Sequence, residues 1–361
     1  MLKKYNVGWG LTNCCNMNCQ FCYSKQTRFR INEKKLEDWK LFIDQNHEFI
    51  DSINYGTGEN SLVDDFFYLV KYIRENYPTI KQAVTSNGYL SEAIKRKPEF
   101  KDIFLKGIDE VDVSLDFVNK ENHNTFRGQA NAYDWALNLL QLLKETKKTT
   151  TIVFIGCEQT LNKNNIDGLF EIAKRYNAIL RMNIYRPVST ESTINDKFIV
   201  SYNSLTKILE YINSKYQIIS LNDSLFSAIY LNESFDDNTG INSIRILPDG
   251  SICPSTYLIS EDYRNKYSIS DENVLSKIDF KNFTEEIIPE NCKDCKYRNL
   301  CKGGVKDRRI LWHKSLSHRD PYCPIKNCVD FPTTKVKVCK EKRISVHDGY
   351  LPTIFFKNKD Q

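Results

Sequence analysis

No run of apolar residues in this chain of 361 residues approaches the ~18 that span a lipid bilayer. Its start, MLKKYNVGWG, has two lysines but lacks the apolar core of a secretory signal. The charge is nearly balanced, because 51 basic residues face 46 acidic ones for a net charge of +5. The sequence therefore predicts a cytoplasmic globular protein with neither a membrane nor a nucleic acid as its partner.

Cysteine is the residue in excess, with twelve copies. Because no export signal is present, a reducing compartment is expected, in which thiols stay free rather than form disulfides. Cys157 stands alone, whereas the others form a front group at residues 14–22 and a back group at residues 253–339. Short gaps within such groups are typical of metal ligation. The sequence therefore predicts metal centres in two parts of the chain.

Short apolar runs alternate with helix-like stretches over the first 190 residues. The predicted strands are residues 5–12, 52–60, 82–88, 111–117, 150–159 and 178–187. The predicted helices are residues 36–50, 62–77, 90–106, 131–146, 164–176 and 202–215. Six βα units imply parallel strands joined by right-handed crossovers, and six are too few for a closed barrel of eight strands. We therefore expect an α/β fold built on a partial (β/α)6 TIM-like barrel.

This alternation ends after residue 220. Residues 241–255 predict a hairpin that turns at PDG, and residues 350–356 predict an edge strand or a docking tail. Residues 287–330 contain too few apolar side chains for a core of their own, so metal is expected to organise them. The expected domains are a barrel at 1–218, a small cysteine-rich domain at 219–330 and a C-terminal tail at 331–361.

Cys15, Cys19 and Cys22 follow the first predicted strand with the spacing C-x3-C-x2-C. In a parallel barrel this position is the rim at which active residues lie. An iron–sulfur cubane normally has four thiolate ligands, so three leave one coordination position open. A zinc knuckle is the alternative, but it needs a fourth ligand nearby and the next cysteine is Cys157. Cys14 is expected to point away from the cluster as a small buried hydrophobe.

The residues around these cysteines carry a family resemblance. C-x3-C-x-Φ-C, with Phe21 at Φ and Tyr23 after it, resembles the signature of the radical S-adenosylmethionine (SAM) enzymes. The resemblance implies a [4Fe–4S] cluster whose open position binds the amino and carboxylate groups of SAM. It implies that SAM is cleaved reductively to a 5′-deoxyadenosyl radical, which abstracts hydrogen from the substrate. A one-electron reductant such as flavodoxin or ferredoxin would supply the electron.

A glycine-rich stretch after the second predicted strand matches the same family. GTGEN at 56–60 resembles its GGE motif, whose backbone and glutamate hold the methionine amino group of SAM. Thr57 and Asn60 depart from the residues that are commonest there. Glycine at this place lets the backbone approach a ligand closely.

Motifs at the ends of later strands extend the resemblance. TSNG at 85–88 and SLD at 114–116 end the third and fourth predicted strands, as in the family. Arg127 and Arg181 are candidates to bind a carboxylate, and ordinary structural roles are the alternative for both and for Ser114. The SAM contacts that the resemblance implies are Phe21, Tyr23, Gly56, Gly58, Glu59, Asn87, Ser114, Asp116, Arg127 and Arg181.

The back cysteines resemble the SPASM extension that follows many radical SAM barrels. The stretch 292–304 reads C-x2-C-x5-C-x-G-G, between DGSIC before it and DPYCP after it. Val305 occupies the family's next cysteine position, which implies one auxiliary [4Fe–4S] cluster rather than two. Its implied ligands are Cys292, Cys295, Cys301 and Cys323, with a zinc ribbon as the alternative. The cysteines left unassigned are Cys253, Cys328 and Cys339. They could form an incomplete second site, ligate iron on the substrate side, or be free or structural thiols, which is the favoured interpretation.

Basic residues are concentrated between 302 and 319, where they form either a solvated face or a dock for an acidic peptide. Members of the family with this extension mostly modify peptides, so a ribosomally made precursor peptide is the expected substrate by analogy. Only 14 residues precede Cys15, so leader recognition is expected from a separate partner protein or the tail.

Two other functions remain open from the sequence. One is a radical SAM enzyme for a small molecule, such as a dehydrogenase of sugar alcohols, and the other is a non-catalytic metal-binding adaptor. Cys157, at the end of the fifth predicted strand, is the candidate catalytic residue as an acid, a base or a hydrogen donor. Its alternative is a buried core thiol.

Overall fold

The computed structural model describes residues 3–27, 32–146, 148–264, 266–285, 287–325, 336, 338 and 344–360. The strands in this part of the chain are β1 (Tyr5–Trp9), β2 (Ile50–Tyr55), β3 (Lys81–Ser86), β4 (Glu110–Ser114), β5 (Thr149–Gly156), β6 (Ile179–Ile184), β7 (Gln217–Asn222), β8 (Ser243–Ile246), β9 (Ile252–Cys253) and β10 (Thr353–Lys357). The longer helices are α1 (Leu36–Asn46), α2 (Asp64–Asn76), α3 (Leu90–Arg96), α4 (Glu99–Gly107), α5 (Lys120–Arg127), α6 (Ala132–Thr146), α7 (Lys163–Tyr176), α8 (Ser192–Phe198) and α9 (Tyr202–Lys215). The later helices are α10 (Ser224–Phe226), α11 (Glu261–Arg264), α12 (Val274–Lys277), α13 (Lys281–Thr284), α14 (Arg298–Cys301) and α15 (Lys306–His313).

The chain divides into two compact units that interleave along the sequence. The first unit contains Met1–Leu115, Asn119–Ile152 and Gly240–Phe280. The second unit contains Asp116–Val118, Val153–Thr239 and Lys281–Gln361. The predicted domain boundaries at 218 and 330 are consecutive rather than interleaved, and they stay a prediction.

The sheet of the first unit has the strand order β4-β3-β2-β1-β8-β9. Strands β1 to β4 are parallel to their neighbours, as the βα rhythm predicts. The predicted hairpin is confirmed by β8 and β9, which are antiparallel, but β8 also pairs in parallel with β1. Trp9 of β1 is fully buried and makes edge-to-face contacts with Trp39 and Phe42 of α1. This aromatic packing fixes the strand that leads into the front cysteines.

The predicted helix at 90–106 is two helices, α3 and α4, rather than one. Pro98 lies between them and immediately precedes α4. Proline disfavours the helical conformation in the residue before it and cannot donate a backbone hydrogen bond. A single helix across this position is therefore wrong, and the chain bends there.

The sheet of the second unit contains β6, β10 and β7, with β10 antiparallel to both of its neighbours. Phe355 and Phe356 of β10 are fully buried. The prediction of an edge strand or a docking tail at 350–356 is therefore wrong, because this segment lies between two strands. The alternation of residues along a strand indicates which side chains are buried, but not which strands become its neighbours.

Within the described residues, no helix combines the length and the apolar character that crossing a membrane requires.

Candidate cysteine and cofactor sites

The front cysteine loop, residues 14–22, connects the end of β1 to a 3-10 turn at Tyr23–Thr27. Cys19 is buried, whereas Cys15 and Cys22 are partly buried. Asn87, at the end of β3, places its Nδ2 atom 3.8 Å from Cys15 Sγ and donates a 2.8 Å hydrogen bond to Asn16. The loop thus contacts the strand end that the TSNG motif predicted.

A second segment holds the opposite side of this loop. The carbonyl oxygen of Arg127 accepts hydrogen bonds from Asn18 N at 3.2 Å and from Cys19 Sγ at 3.5 Å. The Phe21 ring stacks on Phe126 at 4.3 Å, and the Arg127 guanidinium lies 5.1 Å from the Phe21 ring centroid. Contacts from both sides fix the loop backbone before any cofactor binds, which lowers the entropic cost of binding.

The GTGEN loop, residues 56–60, lies directly against the front cysteine loop. Gly58 has a φ of 62°, and a Cβ added there would stand 2.4 Å from the carbonyl oxygen of Cys14. Glu59 N donates a 2.8 Å hydrogen bond to the same oxygen. A residue with a side chain at position 58 would push the two loops apart, so glycine is required here.

The prediction that Cys14 is a small buried hydrophobe is wrong, since its side chain is exposed. The chain no longer runs as a strand at this point. Cys14 N donates to Thr12 Oγ1 at 3.0 Å, and its carbonyl oxygen accepts from Glu59. Because one backbone group bonds to Thr12 two residues earlier and the other to the GTGEN loop, the alternation of a strand does not continue here.

Glu59 is buried, and its carboxylate accepts several hydrogen bonds. The donors include Ser61 Oγ at 2.6 Å, Ser86 Oγ at 3.1 Å and Asn87 N at 2.8 Å. Burial raises the pKa of Glu59, and these hydrogen bonds oppose the rise. The carboxylate therefore ties the GTGEN loop to the end of β3, and its contact with the amino group of SAM stays a prediction.

Thr57 stands where the family most often has glycine, and its φ of 108° is unusual for a β-branched residue. Its Oγ1 atom lies 3.3 Å from Tyr23 Oη. Arg245 of β8 donates through Nη2 to Tyr23 Oη at 3.0 Å and to Thr57 Oγ1. Sequence reasoning missed Arg245, although it is the one charged residue in the apolar run INSIRIL.

The other predicted SAM contacts fall in both units. In the first unit, Ser114 is buried at the end of β4. In the second unit, Asp116 Oδ1 accepts a 2.9 Å hydrogen bond from Ile155 N. Arg181 is also buried in the second unit, with its guanidinium 6.0 Å from the Phe355 ring centroid. Asp116 thus has a structural contact in its own unit, and the SAM roles of these residues stay predictions.

Cys157 is 0% exposed and lies at the end of β5 in the second unit. Its backbone N donates to Thr160 Oγ1 at 3.1 Å, and its Sγ atom lies 3.6 Å from the same hydroxyl. Burial raises the pKa of the Cys157 thiol, which keeps it protonated at neutral pH. These surroundings suit the alternative of a core thiol, and no observation here assigns Cys157 a catalytic step.

The back cysteine set, Cys292, Cys295, Cys301 and Cys323, lines one cavity of about 220 Å³ in the second unit. Arg298 and Arg319 also line it. Burial raises the pKa of Cys292, and it raises that of Cys301 to about 11, with the neighbouring cysteines adding to both rises. The structure therefore brings the four predicted ligands of the auxiliary cluster together.

Four thiols around one cavity fit the donor set of a [4Fe–4S] cluster, because such a cluster occupies the space between its ligands. The two arginines bring positive charge to a site whose thiolates would be negative. In the part of the chain that the structure describes, no group of three or more His, Cys, Asp or Glu side chains stands ready to hold a single metal ion.

Two residues of the basic stretch are neither on a solvated face nor available to dock a peptide. Arg308 is fully buried and pairs with Asp223 at 2.8 Å and with Asp320 at 2.6 Å. Arg309 is also buried and donates to the carbonyl of Ile287 at 3.0 Å. Both interpretations of the stretch are therefore wrong for these two side chains.

The ion pairs of Arg308 help to position the back cysteine set, because Asp320 also contacts the segments that carry these cysteines. Asp320 Oδ2 also accepts a 3.0 Å hydrogen bond from Val305 N, and its carbonyl oxygen accepts one from Cys323 N at 3.0 Å. Arg308 thus helps to fix the segment that carries Cys323 relative to the segment after Cys301.

The cysteines without an assignment differ in what the structure shows. Cys253 is fully buried among Leu247, Ile259 and Tyr23 in the first unit, and burial raises its pKa to about 12. It packs as a small apolar residue, which agrees with a structural thiol. Cys328 and Cys339 lie outside the described residues.

The front part of the chain is similar to a known protein family. Residues 9–164, which contain the front cysteine loop, the GTGEN loop and α5, match the Radical SAM superfamily. The chain therefore contains a region that matches that superfamily. This match implies a [4Fe–4S] cluster and SAM as cofactors, and it supports a radical SAM enzyme.

Similarity to known proteins extends over most of the chain. Mycofactocin maturase MftC of Mycolicibacterium smegmatis is 24% identical over 335 residues, which are 87% of this chain and 81% of that protein. Among solved structures, Streptococcus suis SuiB bound to precursor peptide SuiA has a TM-score of 0.69 at 18% identity, over 90% of this chain and 76% of that one. The anSMEcpe structure with AdoMet and the Kp18Cys peptide has a TM-score of 0.67 at 19% identity, over 90% of this chain and 95% of that one. These structures confirm the predicted α/β fold.

Proposed function

We propose that this radical SAM enzyme abstracts hydrogen from a peptide, and that its substrate is a ribosomally made precursor peptide. The observation that carries the radical chemistry is the docking of the front cysteine loop against the GTGEN loop in the first unit. Through it, three cysteines and the motif that resembles the SAM-binding GGE are held side by side.

In this proposal Cys15, Cys19 and Cys22 hold the [4Fe–4S] cluster, which supplies the one-electron cleavage of SAM when it is bound. Phe21 and Tyr23 provide aromatic surface beside the cysteines. The backbone of residues 56–58 offers polar groups at close range, because neither glycine carries a side chain. Glu59 keeps that backbone in place through its bonds to the end of β3.

We also propose that the back cysteine set holds one auxiliary [4Fe–4S] cluster in a SPASM-type region. The cavity among the four thiols supports this assignment, since its volume of about 220 Å³ exceeds the space of one ion. A zinc ribbon with the same ligands is the competing assignment. Iron and zinc analysis of the purified protein separates the two directly.

Support for a peptide substrate comes from the relatives. MftC is named a maturase, and the SuiB structure contains a precursor peptide. A radical SAM enzyme for a small molecule would use the same cysteine ligands. A small-molecule substrate is therefore the second outcome of the substrate test. A one-electron reductant such as flavodoxin or ferredoxin, and a separate leader-binding protein, complete the proposed set of partners.

The radical step is tested with anaerobically reconstituted protein, dithionite and SAM. We expect wild-type protein to release 5′-deoxyadenosine and Cys15→Ala to release none above background. Cys14→Ala is the matched control, because this neighbouring thiol is exposed and should be dispensable. Release by Cys15→Ala at the wild-type rate would contradict the proposed cluster site.

The substrate class is tested with a short peptide encoded beside the gene. We expect a change in peptide mass that requires SAM, reductant and Cys15. If the peptide mass stays unchanged while a small molecule is consumed under the same conditions, the peptide assignment is wrong and the radical chemistry stands.

A further inference from the structure

Arg245 is a buried positive charge for which the described residues offer no carboxylate partner. Its side chain is 2% exposed. Among the described residues, its guanidinium donates to two hydroxyl groups, those of Tyr23 and Thr57, and its Nε atom finds no hydrogen-bond acceptor there. A buried charge without a partner of opposite sign is costly, so a ligand that supplies that sign would remove the cost.

Two other buried arginines have the carboxylate partner that Arg245 lacks among the described residues. In the first unit, Arg264 is equally buried and pairs with Asp249 at 2.5 Å. In the second unit, Arg186 pairs with Asp307 at 2.7 Å. Arg245 therefore differs from Arg264 and Arg186, each of which has a carboxylate as its partner.

Its place in the first unit indicates which ligand supplies the negative charge. Arg245 pairs with Gly8 across β8 and β1, and a Cβ on Gly8 would stand 2.7 Å from its Nη1 atom. Glycine thus leaves room for the guanidinium. Because Nη2 bonds to Thr57, the positive charge lies beside the GTGEN loop, at which the amino-acid part of SAM is proposed to bind.

We propose that Arg245 binds the carboxylate of SAM, an inference that rests on the proposed binding of SAM at the GTGEN loop. A guanidinium offers paired donors that match the two oxygens of a carboxylate. Tyr23 and Thr57 position it. Arg127, which the sequence suggested for this role, instead has its guanidinium against Phe21.

The test compares two ligands that differ only in the carboxylate. The affinities of SAM and of decarboxylated SAM are measured by equilibrium dialysis with cluster-loaded, oxidised protein and no reductant, so that no turnover occurs. We expect Arg245→Met to weaken SAM binding by roughly 10- to 100-fold, because a charged hydrogen-bonded pair is lost. Binding of decarboxylated SAM should change by less than about threefold, since it lacks the group that Arg245 contacts.

Arg264→Met is the matched control, since it removes a buried arginine of the same unit that already has an acidic partner. It should leave the affinity ratio of the two ligands unchanged. Equal losses for both ligands in Arg245→Met, or no loss for either, would overturn the assignment and indicate that Arg245 only supports Thr57 and Tyr23.

Circular dichroism and iron content establish that the variants are folded and loaded. If Arg245→Met does not fold, Arg245→Lys provides the test, because it keeps the charge but loses the paired donors. It should weaken SAM selectively, by roughly 3- to 10-fold. If wild-type protein binds no SAM, the proposed function fails and this inference fails with it; a wild type that binds SAM with an unchanged ligand ratio in the variants overturns this inference alone.

Discussion

The front cysteine loop and the back cysteine set use the same side chain in opposite ways. In the front, three thiols lie on a loop held by backbone contacts from two neighbouring segments, and two of the three are only partly buried. In the back, four thiols surround a cavity, and three of the four are buried. In the proposed assignment, the three front ligands leave one side of their cluster open, whereas the four back ligands close around theirs.

This difference separates catalysis from structure. A three-thiolate site leaves one position for an exchangeable ligand, which the chemistry of SAM requires. A four-thiolate site leaves none, so its cluster would contribute folding energy and electron transfer. The supports differ accordingly, with neutral backbone contacts in the front and a buried ion network around Arg308 in the back.

The largest expected effects come from removing one ligand at each site. Cys19→Ala should abolish 5′-deoxyadenosine release and lower the iron content by about four atoms per chain. Cys301→Ala should lower the iron content by a similar amount, yet retain reductive cleavage of SAM. Iron analysis and product chromatography measure both effects.

Cys253→Ala is the control for this pair, because it removes a buried cysteine that packs among apolar residues. It should retain the wild-type iron content. If Cys301→Ala also lost SAM cleavage while it remained folded, the proposed division between the two sites would be wrong.

The next effect concerns the ion network of the back set. Arg308→Met leaves Asp223 and Asp320 buried without their partner, so we expect a loss of about 3–5 kcal/mol in unfolding free energy. Urea titration of the anaerobic protein measures it. Lys174→Met breaks an exposed pair with Asp360 and should cost less than about 1 kcal/mol. Similar values for the two variants would contradict a supporting role of Arg308.

The corresponding test in the front uses Gly58. Gly58→Ala places a methyl group against the carbonyl oxygen of Cys14 at a positive φ, so it should cost more than about 1 kcal/mol and weaken SAM binding. Gly349→Ala is the control, because Gly349 also has a positive φ but has no atom within 4 Å of the added Cβ. It measures the cost of the positive φ without the steric contact. Dialysis with SAM and urea titration distinguish the two variants, and unchanged SAM affinity in Gly58→Ala would argue against the proposed binding of SAM at the GTGEN loop.

The smallest effect is the pH dependence of Glu59. Its folded pKa lies above the reference value of 4.5, so the folded state binds more protons than the unfolded state between these two values. Stability therefore falls as pH rises through this window, by up to about 1.4 kcal/mol per pH unit. Glu59→Gln should remove that slope, as followed by urea titration between pH 5 and pH 8. The exposed substitution Glu75→Gln should leave the slope in place, and a slope that persists in Glu59→Gln would assign it to another group.

The sequence predicted the elements whose signal is local. The six strands of the βα repeat and the β8–β9 hairpin follow from periodicity and turn residues within short windows. Even the error at 90–106 has a local cause, since Pro98 marks the break.

The failures depend on contacts between distant residues. Cys14 is exposed at a point where the strand has ended and Glu59, far along the chain, donates to its carbonyl oxygen. Arg308 is buried where it pairs with Asp223, a residue that lies 85 positions away in the chain. Arg245 gives no local sign that β8 places it beside Tyr23. A basic run predicts a surface, and an apolar run predicts a strand. Which residues lie next to such a run is known only from the folded structure.

The position of β10 has a consequence for biosynthesis. β6 and β7 leave the ribosome long before residues 353–357, which later fill the space between them. Until then each strand presents an unpaired edge, the kind of surface that promotes aggregation. The second half of the protein thus cannot complete its sheet during most of its own translation, and chaperone protection in that interval would raise the yield of active enzyme.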